Sequence, residues 1–347
     1  MHKRLLNEAT LDFTIVPEGP ILVKAGDTGA DPTRPDMEFV RTWRNGQRVV
    51  YLPGPSLKGV IRSHCERIVR TVGRDGSCCN PVVKEESCVG LHDLKQEHDG
   101  VNVHAHSCFI CQMFGNTVLG GRVRTADAYP PTVEDYEKSH PDIKEGWDRE
   151  KLSQEERWRR IEPRTEERNG VAIDRVFGSV AVGPFQMEVV TSGEFETKIA
   201  IRNFTIAQLG LLALALRDLK LGRVGVGFGK SRGLGHVTLK WNKLALRYLC
   251  EPTERNKLYG VAFLLDDEAE NYGYLLEKPD GPYDPPLDFG YDSVKEDVSE
   301  ALDGVHFPDK ANDWGEWEVE VSGEKVERVW RTCIQAWKDA IRLEGGA

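Results

Sequence analysis

Five cysteines lie within one short stretch of the chain, and their thiols could bind a metal ion. Cys108 and Cys111 form a C-x2-C pair, a half-site in which two thiolates on one tight turn reach the same zinc ion. Cys88 and one further cysteine would complete a tetrahedral set of four ligands. We expect that ligand to be Cys79, with Cys78 as the alternative. Free buried thiols are the other interpretation of this cluster.

The residues around these cysteines are polar and include His92, His104 and His106, which are substitute zinc ligands. Such a segment cannot bury an apolar core of its own, so a closed zinc site would hold an insertion of about residues 71–111 in place. The first residues of the chain are charged and then alternating, which predicts a strand and not a leader. The cluster therefore indicates a structural metal site in a reducing compartment.

A second candidate site is the turn that joins a strand-like run to a helix predicted over residues 56–70. Pro53 and Gly54 end the strand, and Ser56 stands at the expected N-cap position. The unpaired N–H groups of the helix N-terminus, next to Lys58, would suit a phosphate. Arg62 follows on the same polar face. An ordinary strand–turn–helix with a surface lysine is the alternative.

Four acids, Asp27, Asp31, Asp36 and Glu38, lie in a segment rich in glycine and proline that predicts a long loop over residues 24–48. Carboxylates in such a loop could bind Mg²⁺ or act as a general base. The Asp-Pro and Pro-Asp steps are also common turn chemistry. Spacing alone favours solvated turn residues.

The run GVGFGKSRGLG, residues 225–235, contains G-x-G-x-G-K-S. It lacks the four-residue gap of a Walker loop, and it follows a helix and precedes a strand, which is the reverse of that motif. A nucleoside triphosphate site is therefore disfavoured. Its glycines, with Arg223, Lys230 and Arg232, would permit close backbone approach to a polyanion. A flexible loop is the simpler alternative.

The chain has 347 residues and a formal net charge of −10, which argues against indiscriminate nucleic-acid binding. The charge is uneven: residues 202–240 hold seven Lys/Arg and one acid, whereas residues 251–320 hold twenty acids and five Lys/Arg. A polyanion would use the first region and avoid the second. No apolar run approaches the roughly 20 residues of a membrane span.

The pattern of apolar residues predicts the elements that position these groups. Strands are expected within residues 4–23 and 112–128, in a pair with Gly178 and Gly183 as turn points, in KIAIRNF, and after the glycine-rich loop. Between them lie the helix of residues 56–70, a charged arm or helix within 130–170, and a helix capped by Thr205 and ended by Gly222. This order fits an α+β fold with a ferredoxin-like core and insertions. Beyond residue 245 we expect a second hydrophobic strand, LYGVAFLLDD, an acidic loop and a final helix.

Five segments together resemble a known family: LPGPSLKGVIRS, the C-x2-C of CQMFG, GRVRTADAY, GVAIDRVFGSVAVGPFQMEVV and GFGKSRGLGHV. The set is similar to that of the repeat-associated mysterious proteins (RAMPs), and among them to the backbone subunits of type III CRISPR effector complexes. The resemblance covers roughly residues 8–242. The cysteine-rich insertion is similar to that of the type III-D-like branch.

The resemblance implies an RRM-like core in a domain of residues 1–244, with a zinc-binding insertion at about 71–111 and a thumb hairpin within about 150–190, its strands at about 165–190. Residues 245–347 would be a C-terminal extension that completes or caps this domain. Subunits of this kind stack along a CRISPR RNA beside other effector subunits in the cytoplasm of prokaryotes. Each thumb kinks the guide RNA.

The resemblance also implies site residues. Asp36, with Asp31 and Asp27 as runners-up, aligns with the aspartate that cleaves target RNA, which would require Mg²⁺ or Mn²⁺. The implied RNA-binding residues are Ser56, Lys58, Arg62, Arg41, Asp174, Arg175, Phe177, Lys230, Ser231 and Arg232.

Three other functions remain possible on the sequence. The protein could bind RNA in the same architecture without cleaving it, or it could be a guide-processing endoribonuclease, which would want a histidine in its core. His64 and His236 are expected to be packed or to face phosphate. The third alternative is an unrelated zinc-stapled scaffold that binds protein only.

Overall fold

The structure, a computed structural model, describes residues 5–26, 34–72, 78–92, 100–264 and 297–345. Its central feature is a five-stranded antiparallel sheet. The strands of this sheet are β1 (Asn7–Pro17), β4 (Val123–Thr125), β7 (Phe195–Arg202), β8 (Val237–Tyr248) and β9 (Trp317–Val321). They lie in the order β4-β7-β1-β8-β9. The predicted mixed α+β class is therefore confirmed.

Strand β1 lies at the centre of the sheet, between β7 and β8. Its apolar residues alternate along the strand. Leu11 and Ile15 are buried, and Leu11 lies opposite Ile199 of β7 on one side and Leu244 of β8 on the other. Side chains at directly opposite positions share a face of the sheet, so these residues form one apolar layer. Helices cover that layer.

Three long helices pack near the sheet: α1 (Gly54–Val72), α8 (Ile206–Lys220) and the final helix α9 (Glu324–Gly345). Helix α8 begins at the predicted cap, because Thr205 and Gln208 form a capping box. Its residues are buried almost all round, since the sheet lies on one side and α9 on the other. Gly222, with φ of 67°, follows its end.

The strand directions define two crossover units. Strands β1 and β4 both run antiparallel to β7, so β1 and β4 are parallel and α1 connects them. Strands β7 and β8 both run antiparallel to β1, so they are parallel and α8 connects them. Each of these two helices thus connects two parallel strands of the same sheet.

Two predictions N-terminal to residue 130 need correction. The loop predicted over residues 24–48 contains most of a hairpin, β2 (Arg41–Arg44) and β3 (Gln47–Val50). Its turn uses Asn45 and Gly46, both at positive φ. The strand character predicted for residues 112–128 is limited to β4, because the helix that carries the C-x2-C pair, α4 (Phe109–Phe114), extends into that range.

The charged segment after residue 130 forms helices and then a long hairpin. The helices are α5 (Val133–Ser139), α6 (Pro141–Glu150) and α7 (Gln154–Ile161). The hairpin consists of β5 (Arg164–Ile173) and β6 (Val180–Ser192), which confirms the predicted strand pair. Gly178 lies in its turn, whereas Gly183 lies inside β6. Most of the hairpin is exposed, but its base is anchored by the buried Val189 and Val190.

The strand predicted at LYGVAFLLDD is wrong. Tyr259 makes one isolated bridge to Val298, and residues 261–264 are helical. The carboxylate of Asp297 accepts hydrogen bonds from the N–H groups of Ile206 and Ala262, so it joins this turn to the start of α8. The predicted acidic loop lies outside the described residues, and the final helix is confirmed as α9.

One apolar cluster contains buried side chains from both sides of residue 245, including Leu258, Phe307 and Trp330 with the sheet residues. The C-terminal residues that the structure describes therefore belong to the same core as the strands. Within the described ranges, none of the helices is long and apolar enough to cross a membrane.

The close approach of α8 and α9 generates a stability prediction. A Cβ at Gly210 would overlap the carbonyl oxygen of Cys333, whereas a Cβ at Gly59 in α1 would meet nothing within 4 Å. We expect Gly210→Ala to lower the free energy of unfolding by about 1–3 kcal/mol, because the helices must separate. Gly59→Ala is the matched control and should raise it by up to about 1 kcal/mol, through helix propensity. Urea denaturation measures both. Equal effects would refute the close packing of α8 and α9.

Candidate metal centre and nucleic-acid interface

The four predicted zinc ligands come together in space. The sulfur atoms of Cys79, Cys88, Cys108 and Cys111 all lie within 4.8 Å of one another, and the Cys79 and Cys111 sulfurs are 3.6 Å apart. A zinc ion with Zn–S bonds of about 2.3 Å in a tetrahedron would separate its sulfur ligands by about 3.8 Å. The donor set and its spacing therefore fit a metal such as zinc.

The local structure explains how these cysteines meet. Cys108 is the N-cap residue of α4 and Cys111 lies in its first turn, so both thiols are located at the start of one helix. Cys88 begins the short helix α2 (Cys88–Leu91), and its sulfur accepts a hydrogen bond of 3.1 Å from the N–H of Cys108. Hydrogen bonds from the thiols of Cys111, Cys78 and the other two cysteines lower the pKa of Cys108. The hydrogen-bonded cluster thus favours a thiolate at Cys108, whereas the pKa values of Cys88 and Cys111 are raised.

Helix α1 supplies positive charge to this centre. The Arg62 guanidinium lies 3.9 Å from the Cys111 sulfur and is held by Glu66 and by the carbonyl of Gly115. Arg70 donates to the carbonyl of Cys79 at 2.8 Å. Four thiolates around Zn²⁺ carry a net charge of −2, which these guanidinium groups partly offset. Arg62 therefore contacts the cysteine centre, and its expected role at phosphate stays a prediction.

The alternative ligands are placed differently. Cys78 is outside the group of four, and its thiol faces the carbonyl of Cys79 at 3.6 Å. The rings of His92 and His106 pack together with centroids 5.3 Å apart, and His104 is buried. None of these histidines belongs to the group of four that the described residues contain.

The N-terminus of α1 differs from its prediction in one respect. The helix begins at Gly54, so Ser56 lies in its first turn and is not the N-cap residue. The N–H of Gly54 is bonded instead to the carboxylate of Asp127, at 2.7 Å. Asp127 also accepts a hydrogen bond from the Tyr129 hydroxyl. Sequence reasoning missed this cap because the acid lies 73 positions away.

Lys58 remains available for an anion. Its ammonium group would lie 3.0 Å from a Cβ at Gly121, so a side chain there would crowd it. Burial and the nearby charges of Arg62 and Arg124 lower the pKa of Lys58. In the described part of the chain no carboxylate pairs with Lys58, and a bound phosphate would relieve this repulsion.

Asp36 lies at the base of the β5–β6 hairpin. Its exposed carboxylate accepts a hydrogen bond of 2.8 Å from the N–H of Gln186, and the N–H of Met37 donates to the Gln186 carbonyl at 3.0 Å. The segment around Asp36 thus extends the hairpin as a partial third strand. Asp27 and Asp31 lie outside the described residues.

Arg41 is held by an ion pair. It makes a two-pronged ion pair with Glu188, whose carboxylate also accepts from the N–H of Phe39 at 3.1 Å. Burial opposes ionisation of Glu188, but the hydrogen bonds from Arg41 and Phe39 outweigh it and lower the pKa of Glu188. This pair fixes the loop of Asp36 to strand β6, and the expected RNA-binding role of Arg41 stays a prediction.

The glycine-rich loop meets the same region. Gly227, with φ of 80°, lies against the carbonyl of Leu22, to which the N–H of Phe228 donates at 2.7 Å. The Arg232 guanidinium lies 5.9 Å from the ring centroid of Phe185 in β6. The loop is therefore folded onto the hairpin base that holds Asp36.

The predicted cations of this loop face solvent. Lys230, Ser231 and Arg232 form a short 3-10 turn and are all exposed. Although the residue as a whole is exposed, partial burial of the Lys230 amine and the charge of Arg67 in α1 lower the pKa of Lys230. These groups form a positive edge beside Phe185.

At the hairpin tip, Asp174 is a turn residue. Its carboxylate accepts hydrogen bonds from the N–H groups of Val176 and Phe177, at 2.7 and 2.9 Å, and these bonds lower the pKa of Asp174. Phe177 and Val176 are more than 80% exposed, and Arg175 is exposed beside them. The tip therefore presents apolar surface and one cation to a partner.

The two histidines considered for a guide-processing nuclease have different surroundings. His64 Nε2 lies 2.9 Å from the Asp218 carboxylate, which also binds Arg217 and Arg223. This network joins α1 to the end of α8. His236 is exposed and directly precedes strand β8.

The cysteine geometry predicts a zinc content of about one ion per chain, measured by mass spectrometry of the metal. Cys111→Ser should remove most of it, because three thiolates leave one tetrahedral position open. Cys78→Ser is the matched control and should retain it. Zinc loss in Cys78→Ser with zinc retained in Cys79→Ser would contradict the assignment.

Comparison with known proteins identifies the family of this chain. Residues 14–238, from within β1 to the start of β8, match the family profile of the RAMP superfamily. A search of curated proteins finds no match. The profile covers more than half of the chain and contains every RNA-binding residue expected from the sequence. The chain therefore belongs to the RAMP superfamily.

Proposed function

We propose that the protein is a backbone subunit of a type III CRISPR effector complex that binds CRISPR RNA and cleaves the target RNA paired with it. One observation carries this proposal. Asp36, the base of the β5–β6 hairpin and the glycine-rich loop meet in one hydrogen-bonded region, although they are far apart in sequence. An exposed carboxylate in the same region as exposed cations is an arrangement that could bind and cleave a nucleic-acid backbone.

The core would be ferredoxin-like, or RRM-like. The order β4-β7-β1-β8 with crossovers through α1 and α8 supports this, because it is the order of two β-α-β units that interleave in one sheet. The zinc-binding insertion supports placement in the type III-D-like branch. Residues 245–347 would complete or cap the domain.

RNA would be held by its phosphates. The groups available are Lys58 at the start of α1 and Lys230 and Arg232 in the glycine-rich loop, with Ser56 and Ser231 as hydroxyl donors. A protein of net charge −10 needs such a local cluster to bind RNA, because its overall field repels phosphate. The protein would read the backbone while base pairing reads the sequence.

The β5–β6 hairpin would act as the thumb. Its exposed tip carries Val176 and Phe177, and apolar side chains of this kind can separate stacked bases. A kink in the duplex above the hairpin base would bring an unstacked nucleotide near Asp36. Arg175 would accompany the tip as a phosphate contact.

Cleavage would use the target's own 2′-hydroxyl. Splaying a base lets that oxygen align with the adjacent phosphorus and the leaving 5′-oxygen, which is mainly a positioning effect. Asp36 would accept the proton of the hydroxyl, and water would protonate the leaving oxygen. The products would be a 2′,3′-cyclic phosphate and a 5′-hydroxyl. The N–H of Gln186 occupies one carboxylate oxygen and leaves the other to act.

In the alternative to proton transfer, the free oxygen of Asp36 would hold a divalent ion, Mg²⁺ or Mn²⁺. Magnesium is commonly bound by one or two carboxylates together with substrate phosphates and water, so this donor set fits a site completed by RNA. When bound, the ion would stabilise the charge on the phosphate oxygens.

The phosphate contacts predict a defined loss of RNA affinity. Lys58→Ala and Lys230→Ala should each weaken binding of a guide RNA about tenfold, because each removes a charge-assisted contact. The slope of log K against log salt should fall by about 0.7 for each. Arg149→Ala, which removes an exposed guanidinium paired with Glu145 on α6, is the control and should change little. Uniform losses in all three variants would point to net charge alone.

The catalytic assignment predicts a difference between three isosteric variants. Asp36→Asn keeps an acceptor for the N–H of Gln186 but should abolish target cleavage in the assembled complex, while guide and target remain bound. Asp27→Asn and Asp31→Asn carry the same charge change and should cleave at the wild-type rate. Gel analysis of a labelled target measures this. If Asp36→Asn cleaves the target and Asp31→Asn or Asp27→Asn does not, the catalytic residue is the inactivated one and not Asp36. If neither the variants nor the wild type cleaves the target, the protein binds RNA without cleaving it.

A further inference from the structure

A groove with one positively charged lobe lies between the β2–β3 hairpin and the end of helix α7. One lobe has a volume of 580 Å³ and is lined by four arginines and by Glu162. A second lobe of 660 Å³ adjoins it, and the two share Gln47, Val49 and Trp158. Cavities of this size take ligands as large as one or two nucleotides.

The arginines of the groove differ in their availability. Arg41 is held by Glu188, and Arg159 is paired with Glu155 at 2.5 Å. Arg48 and Arg164 are exposed, and neither side chain has a hydrogen-bond or ion-pair partner among the residues described. Two unpaired guanidinium groups facing one cavity from different elements would bind an anion such as phosphate.

Trp158 gives the groove an aromatic wall. It packs on one side against the small apolar cluster of α5–α7, with Val133, Trp147 and Ile161, and it lines both lobes. A ring fixed in this way loses little entropy when a base stacks on it. Stacking of a base on an aromatic side chain favours an unpaired nucleotide of any sequence.

The groove begins close to the candidate catalytic loop. Arg41, at its edge, lies five residues from Asp36, which is about 17 Å of extended chain. On β6 their partners are Glu188 and Gln186, two residues apart. A single strand that passes Asp36 could therefore continue into the groove.

We propose that this groove holds an unstacked nucleotide of single-stranded RNA, with its base against Trp158 and its phosphates at Arg48 and Arg164. The inference rests on the proposed RNA-binding function and adds to it a second contact surface, outside the sheet, the hairpin tip and the glycine-rich loop. The combination of a planar ring with two guanidinium groups favours a nucleotide over an acidic peptide, which would gain nothing from the ring.

The test uses the full chain and an octauridine with 5-iodouridine at its centre. Irradiation should cross-link this RNA to Trp158, as identified by mass spectrometry of the peptides, and should do so also in a Lys58→Ala/Lys230→Ala background. In fluorescence anisotropy, Arg48→Ala/Arg164→Ala should weaken binding of labelled octauridine about tenfold or more and lower the salt slope by about 1.4, at 0.7 for each phosphate. Arg159→Ala, in the same groove but paired, is the matched control and should change affinity less than about twofold.

Trp158→Phe should retain most of the affinity and Trp158→Ala should lose it, as expected for stacking. Cross-links confined to Phe185, Phe228 or Phe177, with an unchanged salt slope in the double arginine variant, would overturn the groove and leave the proposed function intact. Failure of octauridine to bind or cross-link anywhere would overturn both. Displacement of the RNA by hexaglutamate at lower concentration than by unlabelled octauridine would assign the groove to acidic peptides instead.

Discussion

Backbone and side-chain hydrogen bonds between the segment around Asp36 and strand β6 hold the candidate site together. The N–H of Gln186 binds the Asp36 carboxylate, the N–H of Met37 binds the Gln186 carbonyl, and the pair of Arg41 with Glu188 continues the contact along the strand. Without them the acid would lie on a loop with no fixed relation to the hairpin. The glycine-rich loop, folded onto the same strand through Phe185, completes the arrangement.

Local charge, and not net charge, explains how an acidic protein could bind RNA. Many of its guanidinium groups are already occupied: Arg62 by the cysteine centre, Arg41 by Glu188 and Arg157 by Glu137. Among the described residues, Arg48, Lys58, Arg164, Lys230 and Arg232 have no carboxylate partner, while the C-terminal region is acidic. Such a distribution would align a polyanion on one face and keep it from the other.

The sequence predicted the elements whose signals are local. Helix α8 has its cap, its apolar residues and its terminal glycine within one segment, and the four cysteines have the spacing of a zinc site. The contacts that the sequence did not predict involve partners far away along the chain, such as Asp127 at the start of α1 and Glu188 beside Arg41. The strand predicted at LYGVAFLLDD failed for a similar reason. An apolar run does not distinguish strand from helix, and here its backbone is bound by Asp297.

The central claim is that RNA runs past the hairpin base with its backbone beside Asp36. A structure of the assembled complex, with a guide and a target carrying a 2′-deoxy substitution at the scissile position, tests it most directly. The account predicts the scissile phosphate within about 5 Å of the Asp36 carboxylate, and an unstacked nucleotide against the hairpin. An RNA path over the acidic face near β9 and α9, with Asp36 in bulk solvent, would contradict it.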